Sequence, residues 1–179
     1  GFGGAFIEPL GGLPDVAPNL NRLSEEGVFF TNCYANSFRT DRGTVCALSG
    51  YLGLPTVSVM KIPTKSRTLP AISEELVKAG YNTDFLYGGD INFTNMKSYL
   101  LSKGYQHLTA DTDFSLAERS SNVWGVNDDI TSEWLLEQLK QRTKEDAPWF
   151  TTYLTLSSHE PFEVPYHRLE EKIPNAFAY

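Results

Sequence analysis

The sequence predicts an α/β fold, in which helices flank a mainly parallel sheet. Short apolar runs that are rich in aromatic and β-branched residues alternate with segments of helical periodicity. Glycine or proline stands at many of the boundaries between these segments. Strands that alternate with helices at this spacing form crossover units, whose strands pair in parallel and are covered on both faces.

The first predicted elements are a helix, a strand and a second helix. Pro18 fits the first turn of a helix over 18–26, and Gly27 is expected to end that helix in the left-handed conformation. The run VFFTNCYA concentrates aromatic and β-branched residues, which predicts a buried strand over 28–34. The small and mixed residues over 40–48 predict a short helix.

The centre of the chain repeats this alternation. Apolar residues at helical spacing predict a helix over 70–79, and YNTDFLYGGD then predicts a strand followed by a loop. The stretch NFTNMKSYLLSKG predicts another helix, with Phe93, Met96 and Leu100 on one side and Gly104 as its end. YQHLTA predicts a short strand.

The last third of the chain adds a loop, a helix and a strand. Residues 111–123 are polar and aperiodic, which predicts a surface loop. Asp128 or Asp129 is expected to cap a longer helix that extends to about Lys144. After Pro148 the apolar run WFTTYLTLSS predicts a further buried strand.

Composition excludes several classes of function. Hydrophobic residues make up 41% of the 179 residues and charged residues 21%, as in ordinary globular domains. The net charge of −7, without a stripe of Lys and Arg, argues against a nucleic-acid surface, and no apolar run has the ~20 residues of a membrane span. Cys33 and Cys46 are too few for a zinc knuckle, although they leave one disulfide open. The expected partners are small molecules, without membrane contact by this segment.

Polar residues collect in three loops that follow predicted strands, at 36–42, 88–95 and 157–161. In parallel sheets, ligands bind beyond the carboxyl ends of the strands, where such loops meet. The functional site is therefore expected at these loops.

Thr40 stands between Arg39 and Arg42 at the start of a predicted helix. A threonine hydroxyl becomes a nucleophile only with a base, a metal or a strong positive potential. Two arginines and the amides of a helix N-terminus provide such a potential, and they also stabilise an anionic group. The alternative is a threonine N-cap followed by Asp41, with both arginines solvated.

The other two loops contribute further candidate residues. His159 follows the last predicted strand, where it either contacts a substrate or forms structural hydrogen bonds. Asp90 and Asn92 follow a strand and a Gly-Gly turn. They either bind substrate, or Asn92 caps the next helix.

Several motifs in order resemble the sulfatase-type members of the alkaline phosphatase superfamily, closest to the lipoteichoic acid synthase-like branch. The stretch PNLNRLSEEGVFFTNCYANSFRTDRG resembles the segment that leads to the family's nucleophile. LPAISEELVKAGYNTDFLYGGDINFTNM, WGVNDD and TLSSHEPFEVP follow in the family's order. The resemblance implies that residues 1–179 form the N-terminal portion of a single catalytic domain, with an incomplete sheet.

The resemblance also implies roles for individual residues. Thr40 corresponds to the nucleophile and to one metal ligand, Arg42 to a stabiliser of the anionic group, and His159 to a contact with the substrate. The implied cofactor is a divalent metal, Mn or Zn, in the full-length protein. Its other ligands are expected upstream of Gly1 and beyond Tyr179, so the chain itself is expected to hold no tight metal and to have little activity.

The expected function is transfer of a phosphate- or sulfate-ester group from a small-molecule, lipid or glycan ester. Neither cysteine fits the formylglycine signature of classical sulfatases, Cys or Ser-x-Pro-Ser-Arg. Where glycerol-phosphate polymerases of the branch carry a tryptophan and an arginine, this sequence has Thr94 and Met96. That difference argues against polyglycerol-phosphate synthesis.

Two alternatives stay open: a non-catalytic extracytoplasmic binding domain for an anionic headgroup or glycan, and a phosphoethanolamine transferase or phosphodiesterase of the same superfamily. The branch implies a location on the outer face of the bacterial cell membrane, periplasmic or extracellular, with an anchor upstream. An incomplete sheet also leaves an unpaired edge, which makes a homodimer through that edge a further hypothesis.

Overall fold

The structure, a computed structural model, describes residues 3–143 and 146–163. The chain divides into two compact units. The smaller one comprises Gly1–Tyr34 with Ser158–Tyr179, and the larger one is Ala35–Ser157. Among the described residues, no helix has the length and apolar character that a membrane span requires.

The larger unit contains a three-stranded parallel sheet, which consists of β1 (Asn82–Tyr87), β2 (His107–Thr109) and β3 (Trp149–Leu154). The strands stand in the order β2-β1-β3. In its register, Phe85 lies opposite Leu108 on one side and Thr152 on the other. The parallel pairing confirms the predicted fold class, and the predicted strands after residues 81, 106 and 148 are all present.

Among the described residues, four α-helices precede the first strand in the chain and three lie between the strands. Pro18 occupies the first turn of its helix as predicted, and Gly50, at the end of the second helix, has a φ of +63°. The α-helices of the described residues are α1 (Pro18–Glu26), α2 (Thr40–Ser49), α3 (Pro63–Ser66), α4 (Ile72–Lys78), α5 (Met96–Ser102), α6 (Leu116–Arg119) and α7 (Asp128–Lys140).

The core of the larger unit is apolar and continuous. The rings of Phe85 and Tyr105 meet edge to face with centroids 5.5 Å apart. Burying each such side chain contributes roughly 1.5–3 kcal/mol, so this cluster supplies much of the driving force for folding. Its buried members are Val45, Leu48, Val59, Met60, Phe85, Ile91, Met96, Tyr99, Leu100, Tyr105 and Ala110.

The predicted strand over 28–34 is absent, and this prediction is wrong. Val28 and Tyr34 are 84% and 83% exposed. A strand needs a neighbour for its backbone N–H and C=O groups, and no strand of the described residues pairs with this segment. The side chains favour an extended conformation, but side-chain preference alone does not make a sheet.

Helix ends account for three smaller corrections. Gly27 is extended, with φ −133°, and not left-handed, because glycine accommodates either conformation. Asn127, and neither aspartate after it, occupies the N-cap position of α7. That helix ends at Lys140, and the predicted end at Lys144 lies outside the described residues.

Residues 111–123 are not a plain loop. They contain a 3₁₀ turn over Asp111–Asp113 and the short helix α6. Ser115 and Glu118 form a capping box at the start of α6, in which the Ser115 hydroxyl accepts from the Glu118 N–H. The sequence SLAE carries this signature, which the polar character of the segment concealed.

The predicted helix after the Gly-Gly turn begins later than expected. Thr94 and Asn95 have φ angles of +56° and +67°, so the chain kinks before α5 begins at Met96. Met96 and Leu100 are buried as predicted, whereas Phe93 is exposed. Cys33 and Cys46 are both free, so the disulfide left open by the sequence is not formed.

Candidate functional site

Thr40 is the first residue of α2 and is exposed. The N-cap residue is Arg39, which is extended and makes no side-chain capping bond. Within the described part of the chain, the Thr40 hydroxyl has no hydrogen-bond partner. The alternative interpretation, a threonine that caps its own helix, is therefore wrong.

The first turn of α2 offers backbone donors beside this hydroxyl. The first intrahelical bond runs from the Gly43 N–H to the Arg39 carbonyl, at 2.8 Å, and the Arg42 N–H donates to Asp41 Oδ1 at 3.0 Å. The N–H groups of Thr40 and Asp41 have no acceptor among the residues described. Two amides at the positive end of the helix dipole are thus available to an anion.

The Arg42 side chain already contacts residues of the larger unit. Its Nη1 donates to the Pro55 carbonyl at 2.7 Å, and its guanidinium carbon lies 5.4 Å from the centroid of the Phe38 ring. The guanidinium carbon of Arg39 lies 5.9 Å from the centroid of the same ring. Arg42 Nε is buried and has no hydrogen-bond partner in residues 3–143 or 146–163.

Two charged residues to which the sequence assigned no role in binding or catalysis lie at this helix end. Asp41 is buried, and its Oδ2 lies 3.7 Å from the ammonium of Lys61. Lys61 belongs to the 3₁₀ turn Val59–Lys61, which no motif marks. An acidic residue in the first turn is typical of helices, and this signal alone could have drawn attention to Asp41.

The same 3₁₀ turn reaches the second candidate segment. The Asn95 side-chain amide donates to the Met60 carbonyl at 2.9 Å, and the Thr94 hydroxyl lies 3.8 Å from the Met60 sulfur. The turn over residues 59–61 therefore contacts both the start of α2 and the segment that follows Asp90. Short-range patterns could not predict this connection, because its parts are 20 to 50 residues apart in the sequence.

Asp90 and Asn92 contact each other. Asp90 Oδ1 accepts from the Asn92 backbone N–H at 2.8 Å and from its side-chain amide at 3.0 Å. This is an Asx turn, which fixes the exit from β1. Asn92 takes the N-cap position of the following 3₁₀ turn but makes no side-chain capping bond, so the capping alternative is not realised.

Tyr87, the last residue of the central strand β1, is a polar group at the carboxyl end of the sheet that sequence reasoning missed. Burial raises the pKa of its hydroxyl above the ordinary value, and the carboxylates of Asp90, Asp111 and Asp128 raise it further. The hydroxyl therefore stays protonated at neutral pH and can donate a hydrogen bond. A tyrosine directly before a Gly-Gly turn was the available signal.

The WGVNDD motif holds the end of β3. Asp128 Oδ1 accepts from the Leu156 N–H at 2.6 Å, and Oδ2 accepts from the Ser157 N–H at 2.9 Å. In return, the Asp128 N–H donates to the Ser157 hydroxyl at 2.8 Å. This reciprocal pairing fixes the point at which the loop 157–161 begins.

His159 lies in the smaller unit and is exposed. Its Nδ1 lies 2.9 Å from the Glu160 carbonyl, which favours the tautomer with the proton on Nδ1. Thr40, Arg42, Asp90 and Asn92 all belong to the larger unit. The pocket that Thr40 and His159 are predicted to share stays a prediction.

The described residues do not by themselves fit a divalent cation. They contain no group of three or more His, Cys, Asp or Glu side chains arranged to hold a metal. Thr40 supplies a single oxygen, whereas firm binding requires several ligands.

Comparisons with known proteins agree on one family. The Sulfatase family model matches residues 2–176. The chain is 25% identical over 160 residues to Phosphoglycerol transferase I of Xanthomonas campestris pv. campestris, covering 83% of this chain and 22% of the relative. It is 26% identical over 157 residues to the Lipoteichoic acid synthase of Staphylococcus saprophyticus, covering 84% of this chain and 24% of the relative. The chain thus spans less than a quarter of each of these two relatives.

Solved structures confirm the fold class. An alkaline phosphatase superfamily protein from Vibrio parahaemolyticus has a TM-score of 0.85 and 31% identity, covering 98% of this chain and 44% of that one. The lipoteichoic acid synthase LtaP from Listeria monocytogenes has a TM-score of 0.69 and 16% identity, covering 80% of this chain and 37% of that one. At this identity, the second similarity concerns the fold alone.

Proposed function

Because the chain belongs to the sulfatase family, we propose that it forms part of an enzyme that transfers a phosphate- or sulfate-ester group through Thr40. The curated relatives named above are a phosphoglycerol transferase and a lipoteichoic acid synthase, which favours a phosphate ester. Since the chain spans less than a quarter of these relatives, the activity and substrate of the whole enzyme belong to the proposal.

The exposed Thr40 hydroxyl at the positive end of α2 carries the proposal. In the first step, Thr40 Oγ attacks phosphorus, the bond to the ester oxygen breaks, and the leaving alcohol takes up a proton as Thr40 loses its own. In the second step, water or an acceptor hydroxyl attacks phosphorus, the bond to Oγ breaks, and Thr40 regains a proton. The free amides of Thr40 and Asp41 stabilise the oxygens on which negative charge develops.

The remaining candidates take supporting roles in this proposal. Arg42 stabilises the transferred group through the positive charge of its guanidinium. Asp90 and Asn92 bind hydroxyl groups of the substrate, and His159 contacts the transferred group. Dependence on a divalent metal, Mn or Zn, is also proposed. Thr40 is the single ligand proposed within the described residues, so the two steps above are written without a metal.

Location and partners are part of the same proposal. The substrate is a small-molecule, lipid or glycan ester, and the enzyme acts on the outer face of the bacterial membrane, anchored upstream of this segment. The isolated chain is proposed to have little activity of its own, so the assays require the full-length protein.

The test is an assay of the full-length protein, supplemented with Mn²⁺ or Zn²⁺, against aryl phosphate, phosphodiester and sulfate esters. Thr40→Ala is expected to lower turnover at least ~10³-fold, because loss of a nucleophile removes the covalent step. Thr44→Ala makes the same chemical change one turn later in α2 and is expected to leave turnover unchanged. Wild-type turnover in Thr40→Ala rejects the nucleophile, and absence of turnover in the wild type favours the binding-domain alternative.

A further inference from the structure

Asp41 brings a negative charge to the end of α2 at which Thr40 lies. It follows Thr40 directly in the first turn of the helix, and its side chain is 9% exposed. A carboxylate next to the proposed nucleophile repels an anionic ester, and like charges repel more strongly where water is excluded. The proposed reaction therefore requires a group that offsets the charge of Asp41.

Lys61 forms an ion pair with this carboxylate. Its Nζ lies 3.7 Å from Asp41 Oδ2, and no other described residue forms an ion pair with Asp41. The other carboxylate oxygen, Oδ1, accepts from the Arg42 N–H at 3.0 Å. The two oxygens of Asp41 thus have different partners, and the Lys61 ammonium is the cationic side chain of the pair.

The two arginines at this helix end do not compensate Asp41. Arg42 donates from Nη1 to the neutral Pro55 carbonyl, and the guanidinium carbons of Arg39 and Arg42 lie 5.9 and 5.4 Å from the centroid of the Phe38 ring. Within the described part of the chain, neither arginine forms an ion pair. Their charges remain available to an anion because Lys61 offsets the carboxylate.

The backbone of Lys61 is held by the core of the larger unit. The residue ends the 3₁₀ turn Val59–Lys61, in which Met60 is 0% exposed. The Lys61 N–H donates to the Ser58 carbonyl at 3.1 Å, and the Asn95 amide donates to the Met60 carbonyl at 2.9 Å. A fixed backbone reduces the conformational entropy that the ion pair has to overcome.

The Lys61 side chain itself is 56% exposed. An ion pair with one exposed partner contributes little to the stability of the fold. Substitution of Lys61 is therefore expected to leave the protein folded and to change the electrostatic potential at the start of α2.

We infer that Lys61 is a positioning residue of the proposed group transfer. Its ammonium holds the Asp41 carboxylate and offsets its charge, so that the positive potential of the first turn of α2 acts on the ester. This inference rests on the proposed function and extends it to a residue in a different element. Lys61 acts through Asp41 and requires no contact with the ester.

The test is steady-state kinetics of the full-length protein, supplemented with Mn²⁺ or Zn²⁺, on an aryl phosphate monoester and an aryl phosphodiester. Lys61→Met removes the ammonium and keeps an apolar stem. It is expected to raise KM at least about fivefold for the monoester, a dianion, and about twofold for the diester, a monoanion, with kcat changed less than KM. A merely structural role of Lys61 predicts equal effects on both esters.

Three further variants separate charge from packing. Lys61→Arg keeps the charge and is expected to restore KM to within about twofold of the wild type. D41N/K61M also removes the carboxylate, while the asparagine keeps an acceptor for the Arg42 N–H, so most of the lost affinity is expected to return. Lys65→Met makes the same change at an exposed lysine that forms no ion pair with a described residue, and is expected to behave like the wild type.

An unchanged KM for the monoester in Lys61→Met overturns the inference, as does an equal rise for both esters or a rise of the same size in Lys65→Met. The inference also fails if D41N/K61M is as impaired as Lys61→Met, because Lys61 then does not act through Asp41. Where thermal melts show that Lys61→Met is unfolded, Lys61→Gln replaces it.

Thr40→Ala, assayed in parallel, keeps the two proposals apart. Lost turnover in Thr40→Ala together with wild-type kinetics in Lys61→Met rejects the inference alone and leaves the proposed function standing. Wild-type turnover in Thr40→Ala, or absence of turnover in the wild type, rejects both.

Discussion

Polar groups have hydrogen-bond partners around Lys103, whereas the Thr40 hydroxyl in the first turn of α2 lacks one among the described residues. Lys103 is 0% exposed, and its ammonium donates to the carbonyls of Arg67 and Leu69 at 3.0 and 2.5 Å, with a Glu74 carboxylate oxygen at 3.4 Å. Thr40 is exposed, and its hydroxyl has no bond to any residue that the structure describes.

This difference separates what stabilises the fold from what is available to a ligand. A buried charge is tolerated only when acceptors surround it, and removal of one partner leaves the others unsatisfied. An exposed hydroxyl that bonds to nothing in the protein contributes little to stability and remains free to react. Substitutions in the two regions are therefore expected to act on different measurements.

The largest expected effect on stability is that of Lys103→Met. The substitution keeps the apolar stem but removes the donor from the Arg67 and Leu69 carbonyls and the cation from Glu74. Each of the two carbonyls that lose their charged donor costs about 1–3 kcal/mol, and the total loss should be measured by urea unfolding. A loss no larger than that of Lys78→Met, which removes only an exposed Lys78–Glu75 pair, would contradict this expectation.

Asp128→Ala tests a half-buried carboxylate that holds the end of β3, and it is expected to cost somewhat less. It removes a carboxylate that accepts from the Leu156 and Ser157 N–H groups. Loss of charged acceptors at a strand end costs about 2–3 kcal/mol in the free energy of unfolding. Glu133→Ala removes an exposed carboxylate from the same helix and serves as the control. Equal unfolding midpoints for the two variants would show that the β3 end does not depend on Asp128.

Unfolding at alkaline pH tests the contribution of a buried tyrosine to the stability of the core. Burial raises the pKa of Tyr99 to about 12, although its hydrogen bond to Ser49 acts in the opposite direction. Because the folded pKa lies above the ordinary value of about 10, the contribution of Tyr99 to stability is complete below pH ~10 and is lost as the pH rises toward 12. Unfolding midpoints of the wild type should therefore fall over this window.

The variants Tyr99→Phe and Tyr34→Phe show how much of this loss of stability is due to Tyr99. Tyr99→Phe should reduce the fall in midpoint between pH ~10 and ~12, because Phe has no proton to lose. The fall does not vanish, since burial also raises the pKa of Tyr87, Tyr105 and Tyr153. Tyr34 is exposed, so Tyr34→Phe should follow the wild type. Identical pH profiles for all three proteins would contradict the assignment.

The sequence predicted the parts of the fold that local patterns determine. The three strands of the sheet and helices α1 and α2 lie close to their predicted positions, because apolar composition, Pro18 and the terminal glycines act over a few residues. The prediction of a strand over 28–34 was wrong because strand formation depends on a distant part of the chain. Its composition favours extension, but pairing depends on a partner strand that local composition does not determine.

The site shows the same division between local and distant information. The exposed Thr40 at a helix start followed from its immediate neighbours in the sequence. The contact of Asp41 with Lys61 and the burial of Lys103 did not, because each brings together residues at least 20 positions apart. Lysine is expected at the surface from sequence alone, so its burial becomes predictable only once its acceptors are placed around it.

The smallest expected effect on stability is that of Thr40→Ala. This variant tests most directly whether the exposed hydroxyl, unlike the buried Lys103 ammonium, leaves the fold unaffected. The hydroxyl makes no bond to a described residue, and alanine favours a helix more than threonine does, so the free energy of unfolding should change by less than about 0.5 kcal/mol. Urea unfolding of this variant beside Thr44→Ala checks the value. A loss above about 1 kcal/mol, within the range for removal of an N-cap, would mean that the hydroxyl supports the helix after all. Lost turnover in Thr40→Ala would then no longer distinguish a nucleophile from a damaged helix start.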